Sequence, residues 1–175
     1  TEQKKAVVER FTREAKNLYP GRYKRQALRF ARAEPEDTEA LRRLARASEA
    51  HWGYDEAFME NFDAGFNVTE DFIRRNPVYA AGERGCPAAF WGIRQDRDAW
   101  ELEYFYVAEE RLGRGLGKQM WEHMTGWCGK QEICRIHFVT SPQAVGFYRK
   151  MGAVRDGETR SPVDGRPVPH FVYDL

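Results

Sequence analysis

The chain has 175 residues, of which 42% are hydrophobic and 14% aromatic. That is enough for one ordinary α/β core, leaves little room for a second domain, and excludes a disordered polypeptide. The net charge of +1 hides an asymmetry: residues 1–30 carry nine Lys/Arg against three Asp/Glu, leaving 19 against 24 in the remainder.

A mildly acidic body suits a cationic substrate without specifying one. Residues 1–26 read as a basic amphipathic extension with Val7, Phe11, Ala15 and Leu18 on one helical face. Such a face is expected to dock on the body or on a second copy, a possible homodimer, in preference to nucleic acid or lipid. Residues 27–175 then form one domain. Cys86, Cys128 and Cys134 make no C-x-x-C pair and are odd in number, so a disulfide framework is not expected and a reducing cytoplasm fits. No apolar run nears the roughly 18 residues that span a bilayer. The polar start Thr1-Glu-Gln-Lys-Lys5 does not read as a signal peptide, and no membrane partner is expected.

Ala27 to Ala33 alternates apolar residues with arginines and predicts a first strand. Pro35-Glu-Asp-Thr38 caps a helix to about Ala50, with Leu41, Leu44 and Ala45 facing inward. Helices are predicted over 54–62 and 69–75, the second stopped by Asn76-Pro77. Val78 to Gly82 and Ala88 to Arg94 predict a hairpin around Glu83-Arg-Gly85, and Asp96-Arg-Asp98 turns into a strand from Trp100 to Val107. A helix to about Trp127 follows, with Met120, Met124 and Trp127 as its apolar stripe. Ile133 to Thr140 reads as a buried strand, which makes Cys134 an inert thiol. Pro142 to Met151 is a helix ended by Gly152, and the last two strands flank Val163-Asp-Gly165. The expected class is α/β: a mixed, mostly antiparallel central sheet flanked by helices.

The helix after the strand at Leu102–Val107 opens with Leu112-Gly113-Arg114-Gly115-Leu116-Gly117-Lys118. Glycines delivered to a helix N-terminus leave backbone N–H groups and the positive end of the macrodipole uncovered, which describes an anion site suited to phosphates. Arg114 and Lys118 would supplement it. Gln119 stands where a Walker A loop needs Ser or Thr, and Met120 where a dinucleotide fingerprint needs its third glycine, so neither motif applies. Taken alone, the run leaves an ordinary tight turn open. His51, His123, His137 and His170 show no metal-ligand spacing among themselves or with the cysteines, so no metal is expected; His123 is placed on a helix surface and His137 in a strand.

Read with Ser141-Pro-Gln-Ala-Val-Gly-Phe-Tyr-Arg-Lys-Met-Gly152, the glycine run resembles the GCN5-related N-acetyltransferase (GNAT) family, which moves acetyl groups from acetyl-CoA to amines. The family's R/Q-x-x-G-x-G/A loop aligns with Leu112 to Gly117; both glycines match, and Leu112 replaces the usual Arg or Gln. The later signature aligns at Ser141, Ala144, Phe147, Tyr148 and Gly152, with Ser141 in place of Asn. The resemblance implies an acyl-CoA N-acyltransferase fold from about Ala27 to Leu175.

It also implies that Phe105, Tyr106 and Val107 pair with the pantetheine arm, that Leu112 to Lys118 hold the pyrophosphate, and that Ser141, Ala144 and Phe147 complete the cofactor site. Tyr148 takes the general-acid position. Bringing a lysine-like ammonium, pKa about 10.4, to the neutral amine at pH 7 costs about 4.6 kcal/mol, so a base or a desolvating pocket must assist. Glu103 is the first candidate, with Glu101 on the same face as the runner-up; solvent exposure or pairing with arginines is the alternative for both. His51, Trp52, Tyr54 and Tyr104 are candidates for the acceptor pocket, and His170 lies on a strand that would reach it. The expected activity is direct transfer of acetyl to an amine, in first place a small molecule. A non-catalytic acyl-CoA sensor is the rival.

Overall fold

The computed structural model describes residues 28–175; the predicted extension over 1–26 lies outside them. Strand β1 (Phe30–Arg32) is shorter than its sequence pattern. A single 3-10 turn at Pro35–Asp37 leads into α1 (Thr38–Ala50), whose buried face is Ala40, Leu41, Leu44 and Ala45. Helix α2 (Glu56–Gly65) is capped by Asp55, whose carboxylate accepts from Phe58 N–H, and α3 (Glu70–Arg75) is capped by Thr69 in the same way. Each cap satisfies one of the first-turn N–H groups that a helix cannot bond internally.

Strands β2 (Val78–Glu83), β3 (Cys86–Asp96) and β4 (Ala99–Val107) form an antiparallel meander. Helix α4 (Leu116–Lys130), β5 (Arg135–Val139), α5 (Val145–Lys150), β6 (Val154–Arg160) and β7 (Pro167–Asp174) complete the chain. The sheet has seven strands in the order β1-β2-β3-β4-β5-β7-β6, and only β4 and β5 run parallel. This is the mixed, mostly antiparallel sheet expected from the sequence.

The sheet is covered on both faces, which is why β3 reads as an unbroken apolar run from Ala88 to Ile93. Trp91 and Ile93 face a cluster with Met120, Trp121, Met124 and Cys128 of α4, Ile136 and Phe138 of β5, Tyr148 of α5 and Phe171 of β7. Phe90 faces a second cluster with Leu41, Leu44 and Ala45 of α1, Phe58, Met59 and Phe62 of α2, and Ile73 of α3. Gly92 allows the crowding on that side, because a Cβ there would stand 3.1 Å from both Phe72 and Tyr104.

Three expectations need correction. Cys134 precedes β5 and is exposed, because the strand begins only at Arg135. His123 is not a surface residue: it lies half-buried, accepts a hydrogen bond from Trp91 Nε1 at 3.0 Å and stacks on Phe30, and burial lowers its pKa. The buried stripe of α4 runs through Leu116, Met120, Trp121, Met124 and Cys128, with Trp127 only partly covered.

Phe171 has no exposed surface and stacks on Phe138 5.7 Å away, with Tyr148 at its edge. Truncation to Ala is expected to cost about 3–5 kcal/mol. Urea unfolding should show this as a lower midpoint at unchanged slope.

Candidate active site

Strands β4 and β5 share one residue pair, Glu101 with His137, and part beyond it. On its other side β4 stays bonded to β3. The hydrogen bond from Ala108 N–H to Ala88 C=O, 2.8 Å, fixes which residues of the antiparallel ladder turn toward β3. By alternation the main-chain groups of Phe105 and Val107 face away from β3, into the gap. Val107 C=O already accepts from Ser48 Oγ at 2.8 Å. The gap opens into a cleft of about 570 Å³ lined by Phe105, Tyr106 and Val107 and by residues from both sides of the sheet.

One end of the cleft is the glycine loop. Gly113 and Gly115 have φ of +70° and +82°, and Gly115 is the N-cap of α4 with no side-chain cap. A Cβ at Gly117 would stand 3.1 Å from the ring of Phe147, so the third glycine is a close-approach position. Of the residues proposed from the sequence for the cofactor, Gly113, Gly115, Gly117, Lys118, Leu112, Ser141, Ala144 and Phe147 all line the cleft. Leu112 leaves 42% of its surface exposed there, and Arg111 brings a cation to the same rim. Two candidates are placed differently. Leu116 turns its side chain into the core at the first turn of α4, which leaves only its backbone for a ligand. Arg114 is exposed and outside the lining.

Tyr148 lies where the two halves meet. Its ring is packed among Phe105, Trp121, Phe138 and Phe147 and is only 7% exposed, yet it lines the cleft. Burial holds its hydroxyl far above the ordinary phenol range, the charge of Glu49 adds to this, and Thr140 offsets it in part. It is a protonated group at neutral pH.

The other end of the cleft is an aromatic chamber under α1 and α2. Tyr54, Phe58, Phe62, Phe66, Tyr104 and Tyr106 form its walls. Tyr104 donates to Phe66 C=O at 3.1 Å, and the Tyr54 hydroxyl is buried without a partner among the described residues. His51 and Trp52 sit at the rim, the former 3.0 Å from Glu109. His170 is outside the cleft and pairs with Asp156.

Three carboxylates reach the cleft, Glu109 at the rim beside His51 and two deeper ones. Glu103 accepts from Arg94 Nε at 2.9 Å, and the same guanidinium binds Glu101 at 2.5 Å, so the arginine pairing weighed for both glutamates is present. The register shift between Gly92 and Ile93 leaves Glu103 as the extra residue of β4. The second of these, Glu49, was missed in the sequence. It lies in the last turn of α1, is half-buried at the chamber, and accepts from Tyr106 Oη at 2.8 Å. Burial raises its pKa above the ordinary carboxylate value; the Tyr106 hydrogen bond and the charge of Arg166 oppose the shift without cancelling it. One signal was available: an acidic residue at a helix C-terminus stands against the macrodipole.

Strand pairing also assembles a group that linear spacing concealed. His137, Asp156 and His170, on β5, β6 and β7, bring possible ligand atoms within 4.8 Å of one another, although no metal was expected from the histidine spacing. A register shift between Arg155 and Gly157 accompanies Asp156.

The splayed sheet, the glycine-capped helix and the cleft between them define an acyl-CoA N-acyltransferase fold. A family model described as the acetyltransferase (GNAT) family matches residues 38–153. The chain belongs to that family, whose members are acetyl-CoA-dependent acyltransferases. No curated protein matches it. Among solved structures it is similar to the PaiA N-acetyltransferase of Thermoplasma acidophilum in complex with coenzyme A: 19% identity, TM-score 0.66, over 85% of this chain and 99% of that one. It is also similar to a GCN5-related N-acetyltransferase of Rhodopseudomonas palustris at 18% identity and TM-score 0.68, over 85% and 96%. The ribosomal-protein-S18-alanine N-acetyltransferase of Escherichia coli aligns at 16% identity and TM-score 0.63, over 84% and 93%. At these identities the likeness establishes the fold.

The raised Glu49 carboxyl has a consequence for stability. Below the ordinary value of 4.5 the group is protonated in both folded and unfolded chains and contributes nothing differential. As pH rises toward the raised folded value, the unfolded chain releases its proton first and stability is lost. Glu49→Gln keeps an acceptor for Tyr106 and removes the charge. Its melting temperature is expected to exceed that of the natural chain at pH 7.5, with the difference vanishing near pH 4.

Proposed function

We propose that the cleft transfers acetyl from acetyl-CoA directly to a small-molecule primary amine, with Glu49 as the proton acceptor and Tyr148 as the proton donor. The observation that carries this reading is the placement of both groups on one cleft at the open edge of β4. The main-chain groups of Phe105 and the N–H of Val107 suit the amide-bearing pantetheine arm, which would add to the sheet as a strand does. The N–H groups at the start of α4, with Lys118 and Arg111 beside them, suit the pyrophosphate. Ser141, Ala144 and Phe147 form the facing wall.

In this scheme acetyl-CoA supplies a thioester whose C–S bond breaks as the C–N bond forms. Glu49 takes one proton from the incoming ammonium; its raised pKa brings it closer to that task than an ordinary carboxylate. Glu103 is second choice, because Arg94 already engages its lone pairs. Tyr148 gives its proton to the departing sulfur, and the second proton leaving the nitrogen restores the phenol. A backbone N–H near Val107 faces the carbonyl oxygen. His51, Trp52, Tyr54 and Tyr104 shape the acceptor side. A chamber roofed by α1 and α2 favours a small amine over an extended peptide.

The test is acceptor-dependent release of CoA thiol across small amines, amino acids, aminoglycosides and peptide N-termini, against blanks without acceptor. Tyr148→Phe should lower kcat by about 10²-fold while the KM for acetyl-CoA stays within about twofold. Glu49→Gln should lower kcat/KM by a similar factor and remove the acidic limb of its pH profile, a limb centred above the ordinary carboxylate value. Unchanged turnover in either variant overturns that assignment. Silence of the natural protein with every acceptor, while acetyl-CoA binds, overturns the transferase reading.

A further inference from the structure

The chamber contains a cation that the transfer reaction does not use. Arg166, in the turn before β7, lays its guanidinium over the Tyr54 ring at 4.2 Å and the Phe58 ring at 5.0 Å, and it lines the cleft. The two rings hold the planar group in place through cation–π contact. Its side chain is 34% exposed. Among the described residues its one ion-pair partner is Asp164, 3.5 Å from Nε, that nitrogen is buried without a hydrogen-bond partner, and Glu49 acts on the guanidinium only through its charge. Neither terminal nitrogen donates to the protein among the described residues, whereas Arg46, Arg94 and Arg135 are each engaged by carboxylates.

We propose that Arg166 is the subsite for a carboxylate on the acceptor, so that the substrate class is an aminocarboxylate with an apolar body. The inference rests on the transferase reading and narrows it. The chamber then offers three complementary parts: Glu49 toward the ammonium, Arg166 toward the carboxylate, and the rings of Phe62, Phe66 and Tyr104 around the apolar portion. A guanidinium presents a planar pair of N–H donors that matches a carboxylate in bidentate fashion, which an ammonium cannot do. The same positive charge works against polyamines and aminoglycosides, whose second ammonium would meet Arg166 inside a poorly solvated chamber. A net charge near zero for the bound zwitterion leaves the Glu49–Arg166 balance intact.

The test uses matched trios: an α-amino acid, its amide and its decarboxylated amine, beginning with phenylalanine, phenylalaninamide and phenethylamine and extending to aliphatic members. Binding is measured calorimetrically on the full chain saturated with CoA, where no transfer occurs, and turnover is measured with acetyl-CoA. Binding of at least one acid 10-fold or more tighter than its amide and amine is expected. Arg166→Gln should bring that ratio to within about twofold of unity, and Arg166→Lys should restore only part of it. The KM for acetyl-CoA reports that each variant is folded. Equal binding of acid, amide and amine across the series overturns the proposal, as does a ratio that survives Arg166→Gln. Selective binding of an acid with no CoA release sinks the transferase reading and leaves the carboxylate subsite standing. Release with amines but no preference for acids does the reverse.

Discussion

Everything at this site depends on where β4 and β5 stop being neighbours. A parallel pair that begins with Glu101 and His137 and then diverges leaves a strand in the middle of a sheet with its peptide groups facing nothing. Buried main-chain donors and acceptors are costly without partners. The fold meets this locally by sending Ser48 Oγ to Val107 C=O, and for the rest it requires water or a ligand with amides of its own. The divergence also fixes the neighbourhood. Helix α4 starts at one mouth of the gap, α5 supplies Tyr148 and Phe147 along one wall, and the C-terminal turn of α1 closes the other side.

That last turn carries a local cost that the rest of the structure has to bear. Glu49 is acidic at the negative end of a helix dipole and is partly removed from water beside Tyr106. A residue chosen for stability there would be Lys, Arg or a neutral side chain. Retaining an ionisable carboxyl with a single phenolic donor is the pattern of a group kept reactive at the expense of folding free energy. Glu103 shows the opposite treatment: its charge is neutralised by Arg94, in a contact that also serves Glu101.

The elements were legible because their signals are local. Pro35-Glu-Asp-Thr38 opens one helix, Asn76-Pro77 ends another, and the alternation of β4 persists until its bulge, whereas the Asp55 and Thr69 caps fell inside the helices predicted over 54–62 and 69–75. The glycine loop was legible because positive φ at Gly113 and Gly115 and the approach of Phe147 to Gly117 leave few other residues possible. Burial of His123 was not, since it follows from Trp91 and Phe30, distant in sequence and brought together only by the sheet. Arg166 carried no sequence signal, since the Tyr54 and Phe58 rings beneath it lie more than a hundred residues away in the chain. The His137–Asp156–His170 group likewise exists only through the β5-β7-β6 order. What spacing could not supply in each case was the partner across the sheet.

The electrostatics of the cleft also impose an order on the proposed proton transfers. Tyr148 is a poor acid while Glu49 is ionised, because the carboxylate's charge raises the phenol further above a range that burial already exceeds. A free thiol has a pKa of about 8.5, so a phenol held that high would donate to a thiolate uphill. Once Glu49 has taken a proton from the ammonium in this scheme, its charge is gone and the smaller of the two effects that raise Tyr148 goes with it, while burial remains. The acid therefore strengthens only after the base has acted. In a low-dielectric chamber such a coupling between two groups acts without any movement of the chain. Tyr106 donates to Glu49, and its own hydroxyl is raised first by burial and then by that carboxylate. In the proposed scheme an acceptor that delivers its proton to Glu49 thereby eases proton donation by Tyr148 in part.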